Sequence, residues 1–546
     1  MAEDKQDLNH ILLINTFYIR NKRHRITLTK NSICWEPESA PDLCTVLPLS
    51  EVIAITPCDC NGDQTSRTIQ CHHCRHSRDQ VSPAISELVP LQAQAVRLYY
   101  AIRVGKYRWS LTSILLRPVE LNVLREFISN LQATLNGLNR PKKLLIFINP
   151  FGGKKQAPKI FKKKVSPLLH LAGIVAHVIV TQRANHAKDM LQELDLKQFD
   201  GIICVGGDGM FGELLNGLIV RIQREENLDI NDPFTFLKRP TIPLGVIPAG
   251  STDAVAYSSN GTNDPVTSTL LIIMGDQINV DISSLHHEGT LLRYSISFLA
   301  YGYFGDTLFE SEKHRWMGPK RYSWSGFKKV LQHRSYDGEL QLQVVNMNNS
   351  PYWQHDRCQA GCSVCVKVKE KLKNSKSQFF DEEKLRWLTV KGKFMCVNVA
   401  TVSCKCGMSR EGISPCAHRG DGCVDVVVVS RCSRFNYIRY LFRTSFHNQS
   451  PFDLNFVQLY RVREFRFSPY VSEGDRTPAA TCTGVQDSQR RLVTSVWNCD
   501  GEVITEPMIH VRVHCQLISL FSRGIEDREI ENSCTHCIGF CKKKQG

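Results

Sequence analysis

The pattern of hydrophobic and polar positions changes along the chain, and its first part predicts a small β-rich domain. Between residues 8 and 136, runs such as ILLINTFYI, RITLTKNSICW and VRLYYAIRV alternate as half-buried strands do. An amphipathic helix follows, because apolar side chains then recur at helical spacing: Leu124, Phe127, Ile128, Leu131 and Leu135.

From about residue 141, continuous apolar runs alternate with helical patterns. The runs are LLIFINP, IVAHVIVT, GIICVGG and IPLGVIPAG. Runs that are apolar throughout are typical of strands buried on both faces of a sheet. Four strand–helix repeats therefore predict an α/β doubly wound parallel sheet.

After about residue 276 the alternation with helices ends and strand patterns dominate. Runs such as CVDVVVVS, FVQLYRVREFRF and IHVRVHCQLISLF predict a mostly-β lobe of the sandwich type. Two polar stretches, residues 366–386 and 472–492, are predicted to be insertions in this lobe.

These patterns predict a multidomain protein with domains at residues 1–137, 138–290 and 291–546. Several strands closed by one helix are the element order of a pleckstrin-homology domain, so the first domain is expected to be pleckstrin-homology-like. Such domains often bind phosphoinositides through a basic early hairpin, which here would carry Arg20, Lys22, Arg23 and Arg25. A solvated basic turn without a ligand is the alternative.

The composition is that of a globular protein with a basic surplus. Hydrophobic residues make up 42% of the 546 residues, and the formal net charge is +15. That charge suits nucleic acid, an anionic membrane or phosphorylated small molecules. The sequence shows no DNA-reading zinc-finger spacing and no RNA-reading aromatic motif, so no nucleic-acid partner is predicted. Without a signal peptide, or an apolar run near the ~20 residues of a transmembrane helix, a cytoplasmic protein with peripheral membrane contact is expected.

Glycine-rich segments follow three of the four predicted parallel strands. They are Asn149–Lys155 (NPFGGKK), Gly206–Met210 (GGDGM) and Gly250–Asp253 (GSTD). Ligands bind at the carboxyl ends of such strands, where glycine lets the backbone approach a phosphate and helix N-termini offer N–H groups. Three such turns predict a nucleotide site. None matches GxxxxGK[ST] or GxGxxG with a following acid, so neither a P-loop NTPase nor a dinucleotide oxidoreductase is expected.

Asp208 lies between two glycines at the start of a predicted helix. A carboxylate there can act as a general base on a hydroxyl, or contact a metal through water. Capping of the helix is the structural alternative. Because a cap does not require glycine on both sides, we predict that Asp208 is catalytic.

Five segments together resemble the diacylglycerol-kinase catalytic family: NPFGGK, TQRAN, VGGDGMFGELLNGL, IPAGSTD and WNCDGE. Within it, the N-terminal domain, FESEKHRW and the cysteine set CQAGCSVC are similar to the ceramide kinases. The resemblance implies phosphoryl transfer from ATP, with Mg²⁺, to the primary hydroxyl of ceramide, at a Golgi or plasma membrane. A sphingosine or diacylglycerol kinase is the alternative within the family, and a catalytically silent lipid-binding adaptor is the alternative outside it.

The family motifs also imply site residues. They place Asp208 as the base, beside the lipid hydroxyl with Gly206, Gly207 and Gly209. The positions that match the family's ATP contacts are Asn149, Pro150, Phe151, Thr181, Gln182, Arg183, Ala184, Asn185, Glu213, Gly250, Ser251, Thr252, Arg315, Arg321, Asp500, Gly501 and Glu502. For the two arginines, which are six residues apart and do not share a helix face, ordinary surface residues are the alternative.

Two positions depart from the family pattern. Lys155 ends the first glycine loop, where relatives usually have GGKG. The lipid-contacting acid of sphingosine kinases aligns with Leu308, and the nearest acid is Asp306. We therefore expect Asp306 to contact the lipid.

The 22 cysteines of the chain are expected to be thiols or metal ligands in a reducing compartment. Cys358, Cys362 and Cys365 (CxxxCxxC) suit zinc with a fourth ligand such as Cys404 or Cys406, and reduced structural thiols are the alternative. A second set has the weaker CxC spacing and is interpreted as incidental loop thiols: Cys58, Cys60, Cys71 and Cys74. Zinc ligation by this set, together with His72 and His73, is the alternative.

Residues 435–446 (FNYIRYLFRTSF) are basic and aromatic. As a helix, the segment suits calmodulin or a membrane surface. Its family counterpart is interpreted as calmodulin-binding, which would make Ca²⁺ a modulator. A buried element of the third domain is the alternative.

Overall fold

A computed structural model describes residues 11–58, 93–345, 357–374, 385–446, 449–470 and 494–526. Its N-terminal domain consists of β1 (Ile11–Ile19), β2 (Lys22–Thr29), β3 (Ser32–Pro37), β4 (Thr45–Pro48), β5 (Val52–Cys58), β6 (Ala95–Gly105), β7 (Arg108–Pro118) and α1 (Leu121–Asn136). The seven strands pair antiparallel in the order β4-β3-β2-β1-β7-β6-β5. Cys60, Cys71 and Cys74 lie outside the described residues.

The closing helix α1 is the one that the apolar spacing predicts. Leu124, Phe127, Ile128 and Leu131 are its buried side chains, and the Phe127 ring lies 5.0 Å from the ring of Phe17 in β1. Complete burial of one such side chain contributes about 1.5–3 kcal/mol. These four apolar side chains lie on one face of the helix, and this is the face that packs on the sheet.

The next segment contains β8 (Lys143–Ile148), α2 (Ala157–Ile160), α3 (Ser166–Leu171), β9 (Val175–Val180), α4 (His186–Glu193), β10 (Gly201–Gly206), α5 (Asp208–Glu225), β11 (Leu244–Pro248), α6 (Ala254–Asn260) and α7 (Pro265–Met274). Its four strands are parallel, in the order β9-β8-β10-β11. The predicted parallel sheet is confirmed. The chain reverses its direction of winding between β8 and β10, and this reversal is where such sheets bind ligands.

Both faces of the parallel sheet are covered, which explains the continuous apolar runs. Leu145 of β8 packs in one core with α4 and α5. Its neighbours Leu144 and Ile146 pack in a second core with α3 and α7. Because successive strand side chains point to opposite faces, a strand between two cores must be apolar at every position.

The remaining elements are β12 (Gln277–His287), β13 (Thr290–Ser295), β14 (Phe298–Gly302), α8 (Tyr303–Glu312), α9 (Lys320–Gln332), β15 (Tyr336–Val345), α10 (Ser363–Asn374), β16 (Leu385–Ala400), β17 (Val424–Ser430), α11 (Arg434–Ser445), β18 (Val457–Pro469), β19 (Trp497–Cys499), β20 (Glu502–Ile504) and β21 (Ile509–Phe521). The mostly-β prediction holds for this lobe. Four helices interrupt the described part of this lobe, and α10 occupies the first part of the polar stretch 366–386. The hairpin of β12 and β13 spans residue 290, where the sequence pattern places a domain boundary.

The strands of this lobe do not form a separate sandwich. β21 pairs antiparallel with β12 and β18, and parallel with β11 of the preceding lobe. Within the described residues, one hydrogen-bonded sheet of 14 strands therefore runs through both lobes. The long strands β16 and β18 each pair with β15 along one half and with β17 along the other, which closes the lobe around its own core.

The N-terminal domain docks on the α7 side of the parallel sheet. The Trp109 amide donates a hydrogen bond to Thr267 Oγ1 at 3.0 Å. The Arg140 guanidinium donates to the carbonyls of Val52 and Leu49 at 2.6 and 3.0 Å. Among the described helices, none is both long enough and apolar enough to span a bilayer.

Candidate active site

The three glycine loops predicted from the strand ends touch one another. A Cβ on Gly250 would lie 2.5 Å from the Gly207 Cα, and a Cβ on Gly153 would lie 2.9 Å from the carbonyl oxygen of Ala249. The Ala249 amide also donates to the Gly206 carbonyl at 2.9 Å. Such approaches leave no room for a side chain. We call this contact of the three loops the glycine seam.

The first loop is shaped by Asn149, whose Oδ1 accepts hydrogen bonds from the amides of Phe151 and Gly152 at 2.9 and 3.2 Å. Its own amide donates to Val205 at the end of β10. Pro150 lies between these anchors, and the Phe151 ring is 60% exposed. The loop thus presents an exposed aromatic ring beside the seam. Lys155, the departure from the family pattern, ends the turn with a φ of +55°.

Asp208 begins α5, but its carboxylate caps a different helix. Its two oxygens accept hydrogen bonds from the Ala254 and Val255 amides at 3.0 Å each, at the start of α6. Burial raises the pKa of Asp208, opposed by these two hydrogen bonds. Asp208 therefore joins the second and third glycine loops, and it is poised to accept a proton more readily than a solvated aspartate.

Two further carboxyl groups lie near Asp208. Burial, followed by the charge of Asp208, raises the pKa of Asp253 to about 6, and Asp253 Oδ1 accepts a hydrogen bond from the Gly250 amide at 2.8 Å. The charge of Asp500 further raises the pKa of Asp208. Of the remaining third-loop residues, Ser251 is exposed and Thr252 is half-buried. The carboxylate of Asp208 therefore lies in the electrostatic field of two other acids.

The TQRAN segment follows β9 and leads into α4. Thr181 is buried, and its amide and hydroxyl both donate to the Ile148 carbonyl. The Gln182 amide donates to His186 Nδ1 at 3.1 Å. The exposed Arg183 pairs with Asp189 at 2.6 Å and also donates to the carbonyl of Ala184, while Asn185 precedes the helix in the left-handed conformation. The segment therefore flanks the end of β8, and its contact with ATP stays a prediction.

One carboxylate oxygen of Glu213 is engaged by the protein. Its Oε1 accepts hydrogen bonds from the Ala187 and Lys188 amides at 2.8 and 3.3 Å, at the first turn of α4. The side chain thus ties α5 to α4. Contact between Glu213 and ATP stays a prediction, and Oε2 is the oxygen that could make it.

The Asp500–Glu502 turn returns from the end of the chain, as the motif predicts. The Asp500 carboxylate accepts hydrogen bonds from the Ile296, Ser297 and Phe298 amides at 2.8–3.0 Å, and from the Ser297 hydroxyl. Gly501 has a φ of +88°, which favours glycine.

Glu502 forms an ion pair with Arg293, whose guanidinium lies against Gly212 of α5. Burial lowers the pKa of Arg293, but the surrounding acidic groups outweigh this effect and raise it. Through Arg293 of β13, the turn is therefore linked to the helix that begins with Asp208.

Arg315 and Arg321 meet at one acid although they share no helix face. Arg321 pairs with Glu312 Oε1 at 2.9 Å, and Arg315 Nε donates to Glu312 Oε2 at 2.6 Å. Arg321 is largely buried, whereas Arg315 is 74% exposed. Glu312 was not anticipated. Its position at the end of α8, three residues before Arg315, is the sequence signal that could have found it.

Asp306 is engaged by side chains of its own lobe. It accepts hydrogen bonds from the Ser495 hydroxyl at 2.6 Å and from the Tyr336 hydroxyl. Burial and the charge of Asp306 raise the pKa of Tyr336, so the phenol remains a donor. Contact between Asp306 and a lipid stays a prediction.

A loop after β16 lies at the active site and was not anticipated. The Cys404 thiol is buried, donates to the Ser297 carbonyl at 3.1 Å, and has a raised pKa through burial and the charges of Asp500 and Asp208. Burial raises the pKa of Cys406, and Asp208 adds to that rise. Both thiols therefore lie close enough to Asp208 to feel its charge.

The prediction that Cys404 or Cys406 is the fourth ligand of the CxxxCxxC set is wrong. Among the described residues, the side chain that joins the three cysteines is His418.

Comparison with known proteins agrees with the motifs. The family model described as diacylglycerol kinase catalytic domain matches residues 143–285, and that described as ceramide kinase C-terminal domain matches residues 298–539. The chain is 40% identical to ceramide kinase of Homo sapiens over 504 residues, covering 89% of this chain and 90% of that protein. It is 32% identical to ceramide kinase 1 of Caenorhabditis elegans, covering 78% and 74%. It is 31% identical to the ceramide kinase-like protein of Homo sapiens, covering 71% and 70%. On this similarity along most of its length, the chain belongs to the ceramide kinase family.

Proposed function

We propose that the chain is an ATP-dependent lipid kinase that phosphorylates the primary hydroxyl of ceramide to give ceramide 1-phosphate. The observation that carries the proposal is the glycine seam, with the Asp208 carboxylate bound across it to the start of α6. The human relative that is 40% identical is named ceramide kinase, which favours ceramide as acceptor. A sphingosine or diacylglycerol kinase of the same family is the second candidate.

The seam supplies what phosphoryl transfer needs, namely positioned donors near a base. The glycines allow phosphate oxygens to approach the backbone amides of the loops. Asp208 accepts the proton of the lipid hydroxyl, and its raised pKa brings it closer to the range of an effective general base. Arg321 and Arg315, oriented by Glu312, would offset the charge of the transferred phosphoryl group.

The carboxylates around Asp208 fit the Mg²⁺ that the family implies. Asp208, Asp253 and Asp500 already accept amide hydrogen bonds, so a hydrated ion held through water suits them better than direct ligation. Bound Mg²⁺ would neutralise charge on the phosphates of ATP. It would also relieve the mutual repulsion of these side chains.

The decisive experiment measures ATP-dependent phosphorylation of ceramide, sphingosine and diacylglycerol by the full chain. Asp208→Asn should lower kcat for ceramide by about 10²–10⁴. Asp42→Asn changes an exposed aspartate of the first domain; it is the control and should retain activity. Undiminished activity of Asp208→Asn would refute the base assignment, and preference for sphingosine would refute ceramide.

Membrane contact is a further part of the proposal. The order of seven strands and one helix supports a pleckstrin-homology-like first domain, with a basic β1–β2 hairpin. Glu38 and Glu36 partly offset two of its charges by pairing with Arg23 and Arg25. In the C-terminal lobe, α9 and the turn before it expose apolar side chains among lysines: Trp316, Trp324, Phe327 and Leu331. We propose that this surface meets the bilayer that supplies the lipid.

Residues 435–446 form α11 and its end, and the helix is buried on one face only. Tyr437, Tyr440 and Thr444 are buried, whereas Phe435 and Phe442 are 76% and 59% exposed. This exposed aromatic face supports a proposed Ca²⁺-dependent contact with calmodulin. A calmodulin pull-down in the presence of Ca²⁺ and in the presence of a chelator, repeated with Phe442→Ser, tests this proposal. Binding that is reduced neither by the chelator nor by the substitution would refute it.

A further inference from the structure

A cluster of four metal-ligating side chains lies outside the catalytic machinery. The ligand atoms of Cys358, Cys362, Cys365 and His418 all lie within 4.8 Å of one another. Cys358 Sγ is 3.6 Å from Cys365 Sγ, and Cys362 Sγ is 3.3 Å from His418 Nδ1. The sulfur–sulfur separation is far longer than the ~2.05 Å of a disulfide.

These separations match a tetrahedral zinc site. With Zn–S near 2.3 Å and Zn–N near 2.0 Å, tetrahedral geometry sets sulfur–sulfur distances of about 3.8 Å and sulfur–nitrogen distances of about 3.5 Å. The chain thus places three thiols and an imidazole at nearly the spacing that one ion would impose. Soft thiolates with imidazole select zinc over magnesium or calcium.

Two distant segments are hydrogen-bonded together around the cluster. The three cysteines lie before and at the start of α10, and His418 comes from the loop between β16 and β17. Arg419 donates to the Gln359 carbonyl at 2.8 Å. Buried Gln516 bridges them, donating from Nε2 to the carbonyls of Cys365 and Gly420 at 2.9 and 2.8 Å. The ligands are thus held in place by bonds that involve neither thiol nor imidazole.

We propose that Cys358, Cys362, Cys365 and His418 bind one structural Zn²⁺. Four protein ligands close the coordination sphere, which is typical of structural rather than catalytic zinc. The proposal does not depend on the identity of the lipid acceptor.

The zinc would fix the loop that reaches the active site. His418 lies near the end of the loop whose beginning contains Cys404, and Cys404 donates to the carbonyl of Ser297. The amide and hydroxyl of Ser297 in turn donate to Asp500. At the other end, the Gly422 amide donates to buried Asp281 at 2.6 Å. A metal at His418 therefore limits the movement of a segment that ends beside Asp208 and Asp500.

The test is the zinc content of the full chain, purified under reducing conditions without chelator and measured by elemental mass spectrometry. Because Cys60, Cys71 and Cys74 could hold a second ion, the measured quantity is the difference between wild type and variant. Cys362→Ser and His418→Ala should each lose about one zinc per chain. His418→Cys, which restores a fourth ligand, should keep it. The control Cys432→Ser removes a thiol of the same lobe outside the cluster and should also keep it.

A measurement on the wild type keeps the proposal testable if a variant does not fold. X-ray absorption at the zinc edge should report sulfur at about 2.3 Å and nitrogen at about 2.0 Å, and chelation should lower the melting temperature of wild type more than that of Cys362→Ser. Wild type without bound zinc would overturn the site. Full zinc retention by a folded His418→Ala would overturn the assignment of His418.

Discussion

The glycine seam predicts a sharp effect for Gly250→Ala. The new Cβ would lie 2.5 Å from the Gly207 Cα and 2.7 Å from Asp253 Oδ1. Carbon atoms pack favourably at about 3.5–4.0 Å, so the two loops must separate by roughly 1 Å. Since the nearest atom belongs to the backbone, no rotamer change can relieve the contact.

The separation should cost stability and activity together. Overpacking of this size costs about 1–3 kcal/mol, which would appear as a lower melting temperature by circular dichroism. Moving the third loop also moves the Ala254 and Val255 amides that hold Asp208. A misplacement of about 1 Å in a catalytic arrangement can reduce the rate about 10²-fold, and a kinase assay with ceramide and ATP would measure it.

Gly209→Ala is the matched control within the neighbouring loop. A Cβ at Gly209 meets nothing within 4 Å, and the residue lies in the first turn of α5. Its melting temperature should therefore be maintained or raised, because alanine stabilises helices by about 0.5–1 kcal/mol relative to glycine. An unchanged melting temperature and rate for Gly250→Ala would show that the loops are not in contact, and would refute the reasoning.

Three further predictions concern the carboxylates and the membrane surface. Burial raises the pKa of Asp253 from 3.8 to about 6, so between these pH values the folded chain holds a proton that the unfolded chain has released, and stability falls as pH rises through this window. Asp253→Asn keeps an oxygen that accepts the hydrogen bond from the Gly250 amide. At pH 8 this variant should be more stable than wild type by up to about 3 kcal/mol, and below pH 4 the two should be equally stable. Equal melting temperatures at pH 8 would contradict this prediction. Asp500→Ala leaves three amides without their acceptor and should lower stability by about 2–4 kcal/mol, so a melting temperature like that of wild type would be evidence against its capping role. Phe327→Ser changes a side chain that is 58% exposed and should reduce sedimentation with ceramide-containing anionic vesicles without changing the melting temperature, whereas undiminished sedimentation would remove α9 from the membrane surface.

Much of the nucleotide lobe could be predicted because its information is local. Leu144 and Leu145 are both apolar because each faces a core, so a continuous apolar run indicates a strand that is covered on both faces. A glycine that follows such a strand marks the carboxyl end of the strand, where ligands bind. Even the contact of Gly207 with Gly250 follows from the parallel register of β10 and β11.

The unforeseen features depend on partners distant in sequence. His418 joins the cysteine set across 56 positions from Cys362, and no periodic pattern marks a single histidine as its partner. The DGE motif predicts that Asp500 lies near the nucleotide. In the structure its oxygens accept hydrogen bonds from the amides of residues 296–298, about 200 positions away. Motif spacing identifies such residues. It does not tell which group their oxygens bind.

The last described strand, β21, has a consequence for how the protein is made. Phe521 of β21 packs on the glycines of the parallel sheet: a Cβ on Gly201 would lie 2.5 Å from its ring, and a Cβ on Gly245 would lie 3.3 Å from it. During synthesis, Phe521 is added only after more than five hundred residues. Until then β11 is an edge strand, because its neighbour β21 has not been made. The nascent chain therefore exposes an unpaired strand edge, the kind of surface that favours aggregation and chaperone binding. Nonsense mutations before residue 509 should thus yield insoluble protein rather than a weakened enzyme.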